Sequence, residues 1–234
     1  MEKKTSQQRP IITVTHHIRN PVYVLKSYLE ALQSEEAGVL NEKQREYLSA
    51  CLRNTEKVSK TIEKMVSVIE AEEGLGELKQ ERVLMGELIK EVLKKNKDLF
   101  TTTNTNAFLT EEEKDLAVSA DREKVQKVLT ILLFNAVKYK RPGEAEVDVV
   151  IKKHEEGVLC SVADTGVGFG EAETEHIFKK FYRGSSAMKT DPGGIGVDLY
   201  VLKKMVEAMG GRVWAETRNE RNGAVFSFIL PYYN

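Results

Sequence analysis

Three short segments carry side chains whose chemistry suits a nucleotide: Asn135-Ala-Val-Lys-Tyr139, Asp164-Thr-Gly-Val-Gly168 and Pro192-Gly-Gly-Ile-Gly196. A carboxylate accepts a hydrogen bond from an adenine amino group. Glycines let the backbone approach a base or a phosphate because they lack a Cβ. An amide, an ammonium group and an aromatic ring on one helix suit a metal, a phosphate and a base. The segments together predict three walls of one pocket, although each alone is also typical of a turn or a solvated helix face.

A second group of reactive side chains lies far upstream. His16 and His17 are adjacent in an amphipathic stretch, and Arg19 and Asn20 follow one turn after His16 on the same face. A neutral imidazole there is a nucleophile for a phosphoryl group, and the asparagine is placed to hold a water. Two ordinary surface histidines remain the alternative. A zinc site is disfavoured because adjacent helical residues diverge by about 100°.

The elements around these histidines are predicted to be two long helices. Residues 11–33 carry an apolar stripe, with Pro21 expected to bend the helix. Asn41 and Gln44 have the form of a capping box, from which a second amphipathic helix runs to about Glu72. One helical hairpin cannot bury both stripes. We therefore predict a homodimer that forms a four-helix bundle.

The remainder of the chain, after Gly74 and Gly76, alternates between strand-like and helix-like segments. We predict an α+β protein with two domains, a helical hairpin at 1–75 and an α/β sandwich at 76–234. Strands are predicted at 78–83, 107–110, 116–119, 146–153, 157–164, 212–217 and 224–230. Helices are predicted at 85–97, 122–139 and 195–209, and a short flexible lid at 185–193.

Composition limits the class of protein. The formal net charge of −1 gives no basic excess of the kind that nucleic-acid binding requires. The two cysteines, Cys51 and Cys160, form no metal-binding cluster with histidines. The sequence lacks a run of about 18 apolar residues and an apolar leader. We expect a cytoplasmic protein, related to a membrane only through a sensor region absent from this chain.

Thr15-His-His-Ile-Arg-Asn-Pro-Val22 resembles the H-box of sensor histidine kinases, usually Ser-His-Glu-Leu-Arg-Thr-Pro-Leu. The resemblance implies that His16 is the phospho-acceptor. It also implies that Asn20 positions a water when a response regulator is dephosphorylated. Pro21 takes the place of the proline that bends the helix in this family.

The downstream segments resemble the remaining boxes of the family, in its order and spacing. Leu132–Tyr139 resembles the N-box, Asp164–Gly168 and Gly193–Leu199 the two glycine boxes, and Ile177–Gly184 the F-box. The resemblance implies the Bergerat ATP-binding fold shared with gyrase, HSP90 and MutL. The implied ligands are ATP and Mg²⁺, and the implied contacts are Asn135 to the metal, Lys138 and Arg183 to phosphate, Tyr139 to the base, Asp164 to the adenine amino group, and Gly166, Gly168, Gly194 and Gly196 in the glycine turns.

Three positions depart from the family pattern. His17 replaces an acidic residue that stabilises charge on the attacking imidazole, and its loss is expected to cost ~10²–10⁴ in rate. Ile131 replaces a second polar residue near the metal. Asp198 replaces the last glycine of the second glycine box and repels phosphate.

The resemblance implies the core of a two-component histidine kinase. It would phosphorylate its own His16 from Mg-ATP and pass the phosphoryl group to an aspartate in a response regulator receiver domain. We expect weak autokinase activity. The alternative is a pseudokinase-like dimeric scaffold, phosphotransfer module or regulator phosphatase, and engineered substitutions are a further explanation of the departures. A gyrase-like or HSP90-like ATPase is disfavoured by the histidine hairpin and by Ile131 at the position of its catalytic glutamate.

Overall fold

The computed structural model describes residues 8–36, 38–218 and 223–233, with side chains in the first helix described from His17 onward. The chain divides into two compact units, Met1–Glu73 and Gly74–Asn234. In the described part of the chain, no helix combines the length and the apolar character needed to cross a membrane.

The first unit is an antiparallel pair of helices, α1 (Gln8–Gln33) and α2 (Glu42–Glu72). The predicted capping box at the start of α2 is confirmed. The Asn41 side chain accepts from the Gln44 N–H at 2.9 Å, and the Gln44 side chain accepts from the Asn41 N–H at 2.9 Å. These two bonds satisfy backbone donors that a helix start leaves unpaired. An ion pair between Lys26 and Glu56, at 3.0 Å, links the two helices.

Part of the apolar stripe of the hairpin is exposed. The side chains of Leu25 and Tyr28 are 51% and 70% exposed, and Val58 on α2 is 47% exposed. Apolar side chains on a helix are normally buried against another element. The exposed stripe therefore leaves an apolar surface for a further partner. The predicted bend at Pro21, which lies inside α1, stays a prediction.

The second unit has a five-stranded sheet in the order β2-β4-β5-β7-β6 and a two-stranded sheet of β1 and β3. The pairs are antiparallel except β2 with β4, which are parallel. The strands are β1 (Gln80–Leu84), β2 (Thr105–Glu111), β3 (Ala117–Asp121), β4 (Ala145–His154), β5 (Gly157–Asp164), β6 (Arg212–Thr217) and β7 (Ala224–Leu230). The helices are α3 (Met85–Lys95), α4 (Lys97–Thr102), α5 (Arg122–Lys138), α6 (Ser185–Thr190) and α7 (Asp198–Ala208), and a 3₁₀ turn covers Glu171–Glu173.

The core lies between the large sheet and the helices α3, α5 and α7, which contact its strands. Alternate residues of β4, namely Val147, Val149 and Ile151, are buried, as expected when one face of a strand meets helices. Asp121 caps the start of α5, because its side chain accepts from the Lys124 N–H at 3.1 Å. The predicted helical hairpin followed by an α/β sandwich is confirmed.

Two predicted helix boundaries were wrong. The helix predicted at 85–97 ends at Lys95, and α4 follows as a separate short helix. The Asn96 side chain donates to the Val92 carbonyl at 2.8 Å, and Asn96 itself leaves the helical region. The helix predicted from residue 195 begins only at Asp198, because Gly196 has φ of +74°, which is not helical.

Candidate functional site

The predicted nucleotide residues meet in one cleft of the second unit. It lies between the C-terminal end of α5, the loop after β5, and the segment that leads from Arg183 into α7. Eight of the nine predicted binding residues line it, namely Asn135, Lys138, Tyr139, Asp164, Gly168, Arg183, Gly194 and Gly196. The ninth, Gly166, lies beside the wall, with its Cα hydrogen facing the carbonyl oxygen of Tyr139.

Asp164 ends β5 as a buried carboxylate in this cleft, with 7% of its surface exposed. Its Oδ1 accepts two backbone N–H groups, from Gly166 at 2.8 Å and from Ala224 at 3.3 Å. Its Oδ2 makes no hydrogen bond with any residue in the described ranges. Burial raises the pKa of Asp164, against the opposing effect of the two N–H donors and of the Arg218 charge. One oxygen is thus fixed in place and the other is left to accept from a ligand.

Apolar side chains form the floor beside Asp164. Val167, Ile177 and Phe226 line the cleft, and Phe169 packs against Phe226 with ring centroids 6.1 Å apart. Phe226 belongs to β7, which pairs with β5 so that Val162 lies opposite Phe226. An apolar floor with one convergent polar group is the usual form of a small-molecule site. Sequence reasoning missed Phe226 and Ala224, which only the pairing of β7 with β5 brings to the cleft.

Two cations also line the cleft, Lys138 and Arg183, and both contact the segment 187–192. Lys138 Nζ lies 2.5 Å from Asp191 Oδ2. Burial lowers the pKa of Lys138, but the hydrogen bond with Asp191 and the attraction of Tyr139 and Asp191 outweigh it, so that the pKa is raised overall. The Arg183 guanidinium donates to the carbonyls of Ala187 and Pro192, at 2.9 and 3.2 Å, and to that of Asp191.

Glu173 is a further cleft residue that sequence reasoning missed. Its Oε1 accepts from the Ser185 N–H at 2.8 Å and its Oε2 accepts from the Gly170 N–H at 2.9 Å. These bonds, that of Ser185 first, lower the pKa of Glu173. The carboxylate joins the loop after β5 to the first residue of α6. The segment predicted as a lid therefore contains a helix, and its start is tied to the cleft wall.

The structure places the candidate metal ligand Asn135 in the last turn of α5, half-buried at the cleft. Within residues 8–36, 38–218 and 223–233, no three His, Cys, Asp or Glu side chains are grouped as a metal site. An ion here would rely on the Asn135 amide oxygen, on water and on ligand oxygens. Ile131, one turn earlier, is not part of the cleft lining, whereas Asp198 is.

The histidine group lies on α1 in the first unit. His16 is within the helix, and its side chain lies outside the described part of the structure. The His17 and Asn20 side chains are exposed. Arg19 is half-buried, and its Nε makes no hydrogen bond to any described residue. Two of the four predicted catalytic side chains are therefore open to solvent.

Two family models match the chain in sequence order. Residues 11–74 match the His Kinase A (phospho-acceptor) domain, and residues 120–234 match the Histidine kinase-, DNA gyrase B-, and HSP90-like ATPase domain. The chain belongs to the sensor histidine kinase family and carries these two domains of the kinase core.

A curated relative is similar to the whole chain, and two solved structures share its fold. Sensor histidine kinase WalK of Bacillus subtilis is 28% identical over 99% of this chain, which spans 38% of that relative. Full-length ShkA in complex with AMPPNP has a TM-score of 0.78 at 23% identity, covering 95% of this chain and 45% of ShkA. Histidine kinase ThkA in complex with the response regulator protein TrrA has a TM-score of 0.65 at 22% identity, covering 95% of this chain and 61% of that chain.

Proposed function

We propose that this chain binds Mg-ATP in the cleft of its second unit and transfers the γ-phosphoryl group to His16. The phosphoryl group then passes to an aspartate of a response regulator receiver domain. The observation that carries the proposal is the cleft itself, which joins a buried acceptor, an apolar floor and two cations. The buried acceptor and the apolar floor suit a base, and the two cations suit phosphates.

Asp164 and the apolar floor are the part of the cleft that we propose to hold adenine. Asp164 Oδ2 is the unbonded oxygen of a buried carboxylate, and the amino group of adenine is a donor that would satisfy it. A hydrogen bond to a charged group contributes about 1.5–3 kcal/mol, so a donor at this position is favoured. The floor of Val167, Ile177 and Phe226 suits the apolar faces of a purine.

The phosphate end has Lys138, Arg183 and Asn135. Lys138 and Arg183 would attract phosphate oxygens, and the amide oxygen of Asn135 would give one ligand to Mg²⁺. Mg²⁺ usually keeps several waters and takes few protein ligands, so a single amide oxygen from the protein is consistent with its coordination. When bound, the metal ion supplies charge neutralisation at the phosphates.

The histidine transfer forms a phosphorus–nitrogen bond to His16 as the bond to the ADP oxygen breaks, and ADP leaves. We propose that His16 is presented by a homodimer. The exposed apolar stripe that includes Leu25, Tyr28 and Val58 supports this, because a second copy of the hairpin would cover it. The complex of ThkA with TrrA supports a response regulator as the acceptor protein.

We expect the autokinase activity to be weak. His17 stands where the family has an acidic residue, and neither neutral nor protonated imidazole stabilises positive charge on the attacking His16. Asp198 adds a carboxylate to the cleft lining, which repels phosphate. The second candidate function is therefore a dimeric scaffold, phosphotransfer module or regulator phosphatase. The exposed side chain of Asn20, which could hold a water beside a phosphorylated aspartate, favours the phosphatase.

The test is incubation of the purified chain with Mg-ATP labelled at the γ-phosphate. We expect slow incorporation of acid-labile label that is absent in His16→Ala and retained in His154→Gln, a histidine of β4 distant in sequence from the phospho-acceptor box. Label that survives His16→Ala would contradict transfer to His16. Nucleotide binding by calorimetry without any label would favour the second candidate function.

A further inference from the structure

The Lys138–Asp191 ion pair bears on the phosphate affinity of the cleft. Lys138 is the cation at the end of α5, and Asp191 follows the short helix α6. Their side chains are 33% and 30% exposed, and Nζ and Oδ2 are 2.5 Å apart. We propose that Asp191 determines phosphate affinity by occupying Lys138, so that a nucleotide must displace its carboxylate. This inference rests on the proposed binding of ATP.

The backbone around Asp191 is shaped to hold this contact. The Asp191 N–H donates to the Ala187 carbonyl at 3.0 Å, and the Asp191 carbonyl accepts from the Gly194 N–H at 3.1 Å. A Cβ at Gly194 would lie 2.6 Å from Asp191 Oδ2, which is closer than real contacts allow. The glycine at this position therefore leaves room for the carboxylate on its path to Lys138.

Arg183 also binds the segment that carries Asp191. Its guanidinium donates to three backbone carbonyls of the segment, those of Ala187, Asp191 and Pro192. The carbonyls are neutral acceptors, whereas a phosphate oxygen is charged and forms a stronger hydrogen bond with a guanidinium. Both cations of the cleft thus hold the segment 187–192, and phosphate groups compete with it for both.

The ion pair is therefore expected to weaken the binding of phosphorylated ligands and not that of adenosine. Adenosine needs only Asp164 and the apolar floor, so breaking the Lys138–Asp191 pair adds nothing to its binding. ATP brings oxygens that compete for Lys138 and that are repelled by the Asp191 carboxylate. Removing the charge at Asp191 is expected to tighten ATP binding about two- to fivefold, which is the range of an ion pair at a partly exposed position.

The experiment measures binding of adenosine and of ATP, each with and without Mg²⁺, by calorimetry on the full chain. Asp191→Asn and Asp191→Ala are compared with the parent protein and with Asp98→Asn, which makes the same charge change at an exposed residue of α4. We expect tighter ATP binding and unchanged adenosine binding in both Asp191 variants only. The gain should shrink as salt rises from about 0.05 to about 0.5 M, because salt screens the pair.

A double-mutant cycle tests whether Lys138 is the mediator. The gain in ATP affinity caused by Asp191→Asn should be smaller in a Lys138→Met background, where only the direct repulsion between the carboxylate and the phosphates remains. An equal gain in both backgrounds would show that Lys138 is not the mediator and would overturn the inference. Unchanged or weaker ATP binding in Asp191→Asn, with adenosine still bound, would overturn the inference and leave the proposed function standing. A parent protein that binds neither adenosine nor ATP would overturn the proposed function, and the inference with it.

Discussion

Val167 and Tyr139 are joined by a backbone hydrogen bond in which the Val167 N–H donates to the Tyr139 carbonyl at 2.9 Å. Tyr139 follows α5 and Val167 lies in the loop after β5, so this bond connects two walls of the cleft. Gly166 passes directly beside the same carbonyl. A Cβ there would lie 2.5 Å from the Tyr139 oxygen and 2.8 Å from Asp164 Oδ1.

Gly166→Ala is therefore expected to disturb both walls. The added methyl group forces the loop away from α5. Overpacking of this kind typically lowers the free energy of unfolding by about 1–3 kcal/mol. We expect a lower unfolding temperature and about five- to hundredfold weaker ATP binding, since a factor of ten corresponds to about 1.4 kcal/mol. Gly170→Ala is the matched control, because its Cβ would have no neighbour closer than 3.9 Å. Equal behaviour of the two variants would refute this account of Gly166.

Asp164→Asn is expected to change which base the cleft accepts. The asparagine oxygen keeps the N–H groups of Gly166 and Ala224, while its amide nitrogen replaces the free Oδ2 with a donor. The new amide nitrogen and the adenine amino group are both donors, so neither finds an acceptor in the complex. Because an unpaired polar group costs about 1–3 kcal/mol, ATP binding should weaken about 10- to 100-fold. Inosine triphosphate, whose ring carries a carbonyl in place of the amino group, should bind the variant more tightly than it binds the parent. Parallel losses for both nucleotides, measured by calorimetry, would argue against Asp164 as the base-reading residue.

The same substitution predicts a pH dependence of stability. Because burial raises the pKa of Asp164 in the folded protein above its ordinary value of 3.8, the folded state binds this proton more readily than the unfolded state does. The contribution of Asp164 to stability therefore falls as pH rises from about 3.8 through the raised pKa of the folded protein, and it is recovered as pH falls again. The asparagine side chain of the Asp164→Asn variant does not titrate, so the variant lacks this dependence.

The unfolding temperature of Asp164→Asn should accordingly exceed that of the parent near neutral pH, and the two should converge towards about pH 4. In a domain of this size, about 1 kcal/mol corresponds to about 2–4 °C. Thermal unfolding followed by circular dichroism across this pH range provides the measurement, with Asp98→Asn as the control. A parent protein that is the more stable of the two at neutral pH would contradict the expected cost of the buried charge.

His17→Glu is expected to raise the rate of autophosphorylation. A carboxylate next to His16 stabilises positive charge on the attacking imidazole, an effect worth ~10²–10⁴ in rate. His17 is exposed, so stability should change little. The measurement is the initial rate of label incorporation from γ-labelled ATP. His17→Gln, which is neutral, serves as control, and an equal increase in both variants would show that charge is not the reason.

Local signals in the sequence were sufficient for much of the fold. The capping box of Asn41 and Gln44, the bounds of β6 and β7, and the start of α5 at Asp121 are each set by residues a few positions apart. Signals of this kind need no knowledge of the rest of the chain. The start of α7 was misjudged because the apolar pattern continues through Gly196, whose φ of +74° lies in the left-handed region.

The sequence alone determined the helical hairpin, the α/β sandwich and the three segments that line the cleft, because helix caps, glycine turns and hydrophobic periodicity are short-range properties. The tertiary structure alone decided what these segments contact. The Ala224 N–H donates to Asp164 across 60 positions, the Glu173 carboxylate accepts from the Ser185 N–H, and Lys138 forms an ion pair with Asp191. Such contacts depend on strand pairing and chain closure, which bring distant residues within hydrogen-bond range and leave no trace in local spacing.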